Sequence, residues 1–319
     1  IPFLLVAVGI LQALYSLAAL LLLSGGFIIF GVSRSQKPSL GISVNGGFQE
    51  SNIFAAFIVV VTLMLLAHII ARSRWQKGLR LYAALALVIL ILLLTFTRAA
   101  WISFAVVALM TLFVLRPRTN IFNPRSLTVI TAVVVFFILV ALPIGNYTSS
   151  FTGGSVTGIS ERIGNLINFS EGSGAGRLEV QTRAIQKWQK SPILGNGTFA
   201  FPAEETGTAA HGSWLYSSLI QSLHDTGVVG FVFLLWIYIG GLVVGIRGYL
   251  QCKTIFWKAT LAGGTLGWLA LIIASQASSF MWLSFPWIFL GVMVAWAKQA
   301  PELEQKDAAS YKPSNLITV

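Results

Sequence analysis

The chain has 319 residues, of which 56% are apolar and only 10% are charged, and its mean hydropathy is +0.81. A soluble domain carries about 25% charged residues, so this composition excludes an ordinary soluble globular protein. The net charge of +11 would suit nucleic acid. However, basic residues beside apolar spans are also what the positive-inside rule predicts, and we expect no nucleic-acid partner. The single cysteine, Cys252, excludes an internal disulfide and any cysteine-based metal site.

The apolar residues are grouped into stretches of about twenty, the length that a helix needs to cross about 30 Å of hydrocarbon. We therefore predict an all-α polytopic membrane protein with about eight transmembrane helices. The first span is long enough to be tilted, or broken near Gly25-Gly26. The chain begins with Ile1-Pro2 rather than Met, so we expect a fragment with further helices upstream. The predicted spans are 3–30, 53–71, 79–97, 99–115, 126–144, 226–246, 256–274 and 281–297.

These spans divide the chain into four parts. Residues 1–144 would hold transmembrane helices 1–5, and 145–213 would form an extracytoplasmic loop. Residues 214–297 would hold an interfacial helix and transmembrane helices 6–8, and 298–319 a cytoplasmic tail. The orientation follows from the basic residues of the short loops, which the positive-inside rule places in the cytoplasm together with both termini. Those residues are Arg72, Arg74, Lys77, Arg80, Arg116, Arg118, Arg125, Arg247, Lys253 and Lys258.

The ten acidic residues all lie outside the middle of the predicted spans. Transporters that are coupled to protons or ions usually place carboxylates at mid-membrane. The distribution therefore disfavours that class of protein.

Arg98 lies between two predicted spans with almost no loop to hold it. One interpretation is an arginine that extends to the membrane interface beside Trp101, in a belt of aromatic residues. The other is a permanent cation at the outer membrane surface, suited to a phosphate or diphosphate group. The residue alone does not decide between them.

The predicted loop contains one amphipathic helix, which begins at Arg177 and ends before Pro192. Arg177 would stand at the helix start, where the macrodipole mildly disfavours a cation, so an anionic partner is one explanation. The other is that the five basic residues of the loop balance its five acids. The helix is predicted from apolar residues that recur at helical spacing, namely Leu178, Ile185 and Trp188, and also Val180 and Ala184.

His211 comes just before the chain re-enters the membrane. Its near-neutral pKa suits a general base that takes a proton from a sugar hydroxyl, although a lone histidine is more often structural. His224 and His68 are weaker candidates. Three separated histidines do not make a metal site, so we predict none.

Taken together, the motifs resemble the O-antigen ligase and O-antigen polymerase family of membrane glycosyltransferases. The resemblance covers most of the chain and departs from the family pattern at Gly212, where a polar residue is usual. The matching segments, in order, are Leu11-Gln12-Ala13-Leu14-Tyr15, Gly47-Phe48 with Asn52-Ile53-Phe54-Ala55, Thr97-Arg98-Ala99-Ala100, Gly176-Arg177 with Trp188, Pro192 with Gly195-Asn196-Gly197, His211 with Leu215, and Asp225-Thr226-Gly227 with Gly230.

The resemblance implies a GT-C-type fold of about a dozen helices in a bacterial inner (plasma) membrane. It also implies a metal-independent transferase without a cofactor. The donor would be a glycan on a polyprenyl carrier such as undecaprenyl diphosphate. The acceptor would be lipid A–core, another glycan or a protein, in the biosynthesis of lipopolysaccharide or another surface polysaccharide. By this analogy Arg98 and Arg177 bind the diphosphate and His211 activates the acceptor, with Arg162, Arg183 and Asn52 as secondary candidates.

Three readings stay open from the sequence. The first is the ligase, or an O-antigen or exopolysaccharide polymerase of the same family. The second is a transporter or channel for a small solute such as bicarbonate. The third is a scaffold without catalytic activity in the assembly of an envelope glycan. A scaffold would not require Arg98, Arg177 and His211 to converge.

Overall fold

A computed structural model describes nine ranges of the chain. Several predictions lie outside these ranges, among them the possible break near Gly25-Gly26, the fifth span at 126–144, Arg162, His211 and part of the basic residues of the short loops. The described ranges are 2–24, 32–34, 42–48, 50–71, 79–115, 173–198, 200–201, 215–278 and 280–310.

Within these ranges the chain forms eight helices and one short antiparallel strand pair, β1 (Val32–Arg34) and β2 (Ile42–Val44). The all-α class is therefore confirmed, with one strand pair that the sequence did not predict. The helices are α1 (Pro2–Ser24), α2 (Ser51–Ile70), α3 (Leu79–Leu94), α4 (Arg98–Leu115), α5 (Ser173–Trp188), α6 (Ser218–Gln251), α7 (Ile255–Ala274) and α8 (Ser284–Ser310).

Five of these helices, α1, α2, α4, α6 and α7, are long and apolar enough to cross a membrane. The apolar part of α3 is shorter, and α8 continues through Pro301 into the segment predicted as a tail. The chain is thus an all-α polytopic membrane protein, as the composition predicted. Its orientation and its division into domains stay predictions.

The core of the described bundle is α2, which is buried over most of its length and packs chiefly on α7. Small residues on α7 allow this close approach. A Cβ atom at Gly263 would come within 2.9 Å of the Met64 Cα atom. Between membrane helices such close packing replaces much of the hydrophobic driving force, because lipid is as apolar as the side chains.

Glu304 of α8 forms hydrogen bonds with the segment that connects α6 to α7. Its carboxylate accepts hydrogen bonds from the backbone N–H groups of Lys253 (2.7 Å) and Thr254 (2.8 Å) and from the Thr254 hydroxyl. Burial acts to raise the pKa of Glu304, but these hydrogen bonds outweigh it, and the pKa is lowered. The carboxylate form therefore fixes the end of α8 against the start of α7.

Helix α6 changes direction at Gly227, whose backbone is non-helical (φ 64°, ψ −165°). A turn that follows α5, here called the 192–197 turn, pairs with the backbone at this kink. The N–H groups of Val228 and Val229 donate to the carbonyls of Pro192 (2.9 Å) and Ile193 (3.3 Å).

The pairing at the kink is reciprocal. The N–H groups of Asn196 and Gly197 donate to the carbonyls of His224 (2.9 Å) and Asp225 (3.0 Å). An uninterrupted α-helix would use the same carbonyls for its own N–H groups four residues later. The turn thus satisfies the polar backbone groups of the kink, which is required near a membrane because lipid offers no hydrogen-bond partners.

Candidate functional site

Arg98 is the first residue of α4, and a tight turn from α3 sets its position. Phe96 in this turn has a left-handed backbone (φ 52°). The Thr95 hydroxyl and the Trp101 indole N–H both donate to the Leu92 carbonyl, at 2.6 and 3.0 Å. Trp101 is buried in the core and fixes the turn from inside, and the turn holds Arg98 at the end of the bundle.

Asn52 lies beside this turn. The Thr97 hydroxyl donates to the Asn52 side-chain carbonyl at 3.2 Å, which joins the start of α2 to the residue before Arg98. The secondary candidate Asn52 thus supports the backbone at Arg98.

Arg177 lies in the second turn of α5, because this helix begins at Ser173 rather than at Arg177 as predicted. The macrodipole argument for an anionic partner was therefore wrong, since the effect falls off within the first turn. The Arg177 Nη1 atom donates to the Ala277 carbonyl at 2.9 Å, and the guanidinium carbon lies 5.0 Å from the centroid of the Tyr216 ring.

The charges around Arg177 link it to Arg98. Burial lowers the pKa of Arg177, and the positive charge of Arg98 lowers it further, while Tyr216 and Glu50 act to raise it. Arg177 thus lies within electrostatic range of a second guanidinium group and of one carboxylate, all from distant segments of the chain. Two cations at such range favour the binding of an anion.

A hydrogen-bonded cluster joins the start of α6 to the end of α7 beneath this site. The Ser218 N–H donates to the Ser275 carbonyl (3.0 Å), and the hydroxyl groups of these two residues lie 2.8 Å apart. The Gln276 amide donates to the Ser218 hydroxyl (3.0 Å) and accepts from the Ser217 hydroxyl (2.9 Å). The Tyr238 hydroxyl also donates to Ser218. The cluster fixes the neighbours of Arg177, since Tyr216 and Ala277 are adjacent to it in sequence.

The other predicted basic contact of the described loop, Arg183, lies apart from this site. It is exposed on α5 and forms an ion pair with Glu179, one turn earlier. Arg162 and His211 fall outside the described residues. The structure therefore brings together Arg98, Arg177 and Asn52, and it leaves Arg183 on the surface of the loop helix.

Sequence reasoning missed the neighbours of Arg177 and ranked His224 as a weaker candidate. Glu50 lies between the motif residues Phe48 and Asn52, and nothing in the sequence pointed to Tyr216. The buried His224 Nδ1 atom lies 2.7 Å from the Asp225 carboxylate, which also accepts from Gln221 at 2.6 Å. Among the described residues the His224 Nε2 atom has no hydrogen-bond partner. This pair lies directly at the α6 kink.

No group of three or more His, Cys, Asp or Glu side chains in the described part of the chain could hold a metal ion. The expected metal independence stays a prediction. The fold and site define the class: a multi-pass α-helical membrane protein in which Arg177 of α5 is held beside the end of α7, within electrostatic range of Arg98 at the start of α4.

Residues 83–235 match the model of the Wzy_C, O-antigen ligase family. The resemblance indicated by the motifs is confirmed over this region, which is just under half of the chain. The matched region contains Arg98, Arg177 and His211 but not Asn52. No curated protein matches the chain.

The family indicates glycosyltransferase activity of the O-antigen ligase or polymerase type in polysaccharide biosynthesis. It implies a lipid-linked glycan donor, a glycan acceptor and a multi-pass location in a bacterial membrane.

Proposed function

We propose that this protein transfers a glycan from a polyprenyl diphosphate carrier, such as undecaprenyl diphosphate, to an acceptor hydroxyl in the manner of an O-antigen ligase. Arg98 and Arg177 bind the diphosphate. The observation that carries the proposal is the position of Arg177, which the Ala277 carbonyl and the Tyr216 ring hold within electrostatic range of Arg98 and Glu50. Glu50 balances part of the positive charge while no donor is bound.

In the proposed reaction, the leaving group is the part that most needs stabilisation. The acceptor oxygen attacks the anomeric carbon, and the bond from that carbon to the diphosphate oxygen breaks. The diphosphate leaves with the electron pair, so negative charge grows next to the arginines. Groups that are already oriented toward such charge stabilise the transition state more than the ground state. A guanidinium also offers two parallel N–H donors to one phosphate.

His211 is the proposed general base. It takes the proton of the acceptor hydroxyl as the new bond forms, because a hydroxyl is a poor nucleophile while it keeps that proton. Its position in the family-matched region and its near-neutral pKa as a residue type support this role. The acceptor is lipid A–core, another glycan or a protein.

Transfer of a labelled glycan in proteoliposomes tests the arginines. Arg98→Ala and Arg177→Ala should each lower the rate about 10²–10³-fold, the usual effect of removing one donor to a developing oxyanion. Lysine at either position should restore activity only in part. Arg183→Ala is the matched control, because Arg183 lies on the same helix as Arg177 but pairs with Glu179 on the surface. If both alanine variants keep the parental rate, the diphosphate assignment is wrong.

The same assay tests His211. His211→Ala should lower the rate about 10²–10⁴-fold while the donor affinity stays close to parental. His211→Gln keeps the capacity for hydrogen bonding but cannot take the proton, so it should fail as well. An active glutamine variant would mean that His211 is structural, and the transferase proposal would then need another base.

The products separate ligase from polymerase activity. A ligase adds one preformed glycan to the acceptor, whereas a polymerase yields a ladder of glycan lengths. We expect a single addition, and a ladder would instead assign the polymerase reaction to the same two arginines.

A further inference from the structure

The 192–197 turn carries two apolar side chains that no part of the described bundle covers. Ile193 is 67% exposed and Leu194 is 75% exposed. Their backbone is not loose, because the turn pairs with the α6 kink through four backbone hydrogen bonds. The turn therefore holds two neighbouring apolar side chains on the surface in a fixed position.

The kink also marks one end of the apolar part of α6. This part covers 228–246 and is followed by Arg247. At 1.5 Å per residue it rises about 28 Å, close to the roughly 30 Å thickness of the hydrocarbon layer. Val228 therefore lies at the boundary of this layer on the side of the loop, and the turn that pairs with Val228 lies at the same level.

The outer face of α6 shows which way the lipid lies. Its exposed large side chains form an apolar surface along the apolar part, consisting of Val228, Val229, Val232, Phe233, Trp236, Ile237, Ile239, Val243 and Ile246. In a membrane helix this surface contacts lipid. Ile193 and Leu194 extend it at its loop-side end, since the Ile193 carbonyl accepts from the Val229 N–H.

We propose that Ile193 and Leu194 insert into the lipid bilayer at its loop-side interface and anchor the loop helix α5 to the membrane surface. The residues around the turn suit this position. The Trp188 indole N–H donates to the Pro192 carbonyl at 3.0 Å, and tryptophan is enriched at the level of the lipid headgroups. Lys190 is exposed two residues before the turn, where a cation meets the headgroup phosphates.

The anchor determines the height of Arg177 above the membrane. Arg177 lies on α5, and the turn begins four residues after this helix ends. Any group that Arg177 binds is thereby held at the membrane surface. The anchor itself does not depend on the glycosyltransferase proposal, because lipid contact would be the same for any reaction.

The test uses two single-cysteine variants in a Cys252→Ser background. Leu194→Cys places the thiol in the proposed lipid contact. Thr182→Cys is the control, because Thr182 is exposed on α5 and its hydroxyl donates only within the helix, to the Leu178 carbonyl. Each thiol is labelled with an environment-sensitive fluorophore after reconstitution into phosphatidylcholine–phosphatidylglycerol vesicles.

Lipids with a nitroxide near the headgroup should quench the label at position 194 but not the label at position 182, and aqueous iodide should do the reverse. An unlabelled thiol at position 194 should also react with a water-soluble maleimide about tenfold more slowly than the control, because an apolar surrounding disfavours the thiolate. Iodide quenching at position 194 equal to the control would overturn the proposal. So would protection from both quenchers, since the site would then be covered by protein rather than lipid.

Discussion

Replacing Gly227 by alanine should break the contact between α6 and the 192–197 turn. Gly227 has a left-handed backbone (φ 64°), and a Cβ atom there would lie 2.2 Å from the Ile193 carbonyl oxygen and 2.6 Å from the Gly195 nitrogen. These are backbone atoms, which cannot rotate away as a flexible side chain does. The facing residue, Gly195, is equally restricted, because its own Cβ atom would lie 2.5 Å from the Asp225 carbonyl.

The size of the effect follows from two contributions. The conformation of Gly227 (φ 64°, ψ −165°) is one that essentially only glycine adopts, and it costs another residue about 1–3 kcal/mol. Forcing an extra carbon into a packed site costs about 1–3 kcal/mol more. Gly227→Ala should therefore destabilise the protein by about 2–6 kcal/mol. To relieve the clash the turn must move away from Val228, and α5 must move with it. Arg177 would then lose its position, so glycan transfer should fall as well.

Thermal unfolding in lipid nanodiscs, followed by tryptophan fluorescence, measures the stability. Gly240→Ala is the matched control on the same helix, because a Cβ atom there has no neighbour within 4 Å and alanine favours a helix by about 0.5–1 kcal/mol. We expect Gly227→Ala to melt well below the parent protein and Gly240→Ala to melt at or above it. Equal melting of the Gly227 variant and the parent would refute the packing of the turn on the kink.

Two further predictions concern the ends of the bundle. Asn52→Ala leaves the Thr97 hydroxyl with only the Thr95 carbonyl as acceptor and removes its link to α2. The donor KM should therefore rise, while Asn52→Asp should keep a near-parental KM; equal KM values would contradict this support role. Glu304 has a lowered pKa, so its carboxylate stabilises the fold above the ordinary value of 4.5, and this contribution is lost as the pH falls through the lower folded value. Glu304→Gln should therefore lower the melting temperature at neutral pH, with a difference that shrinks as the pH falls below 4.5; a constant difference would contradict it.

The sequence determined the features that depend on one segment at a time. Apolar stretches of sufficient length predict membrane helices because crossing lipid requires them, and the predicted starts and ends of α2, α4 and α7 agree with the structure to within two residues. The loop helix and its end before Pro192 were also predictable from periodicity and proline. The family motifs selected Arg98 and Arg177 without any knowledge of their distance.

The tertiary structure decided which of these features meet. Periodicity marked Leu178 and Ile185 as readily as Val180 and Ala184, but only the second pair packs against the bundle. The proximity of Arg98 to Arg177 depends on how α4, α5 and the end of α7 pack. No local sequence pattern contains information about this packing. Gly195 and Gly227 belong to two separate motifs, and the requirement for glycine at both positions is explained only by the packing of the turn on the kink. This contact forms between the two segments and not within either one.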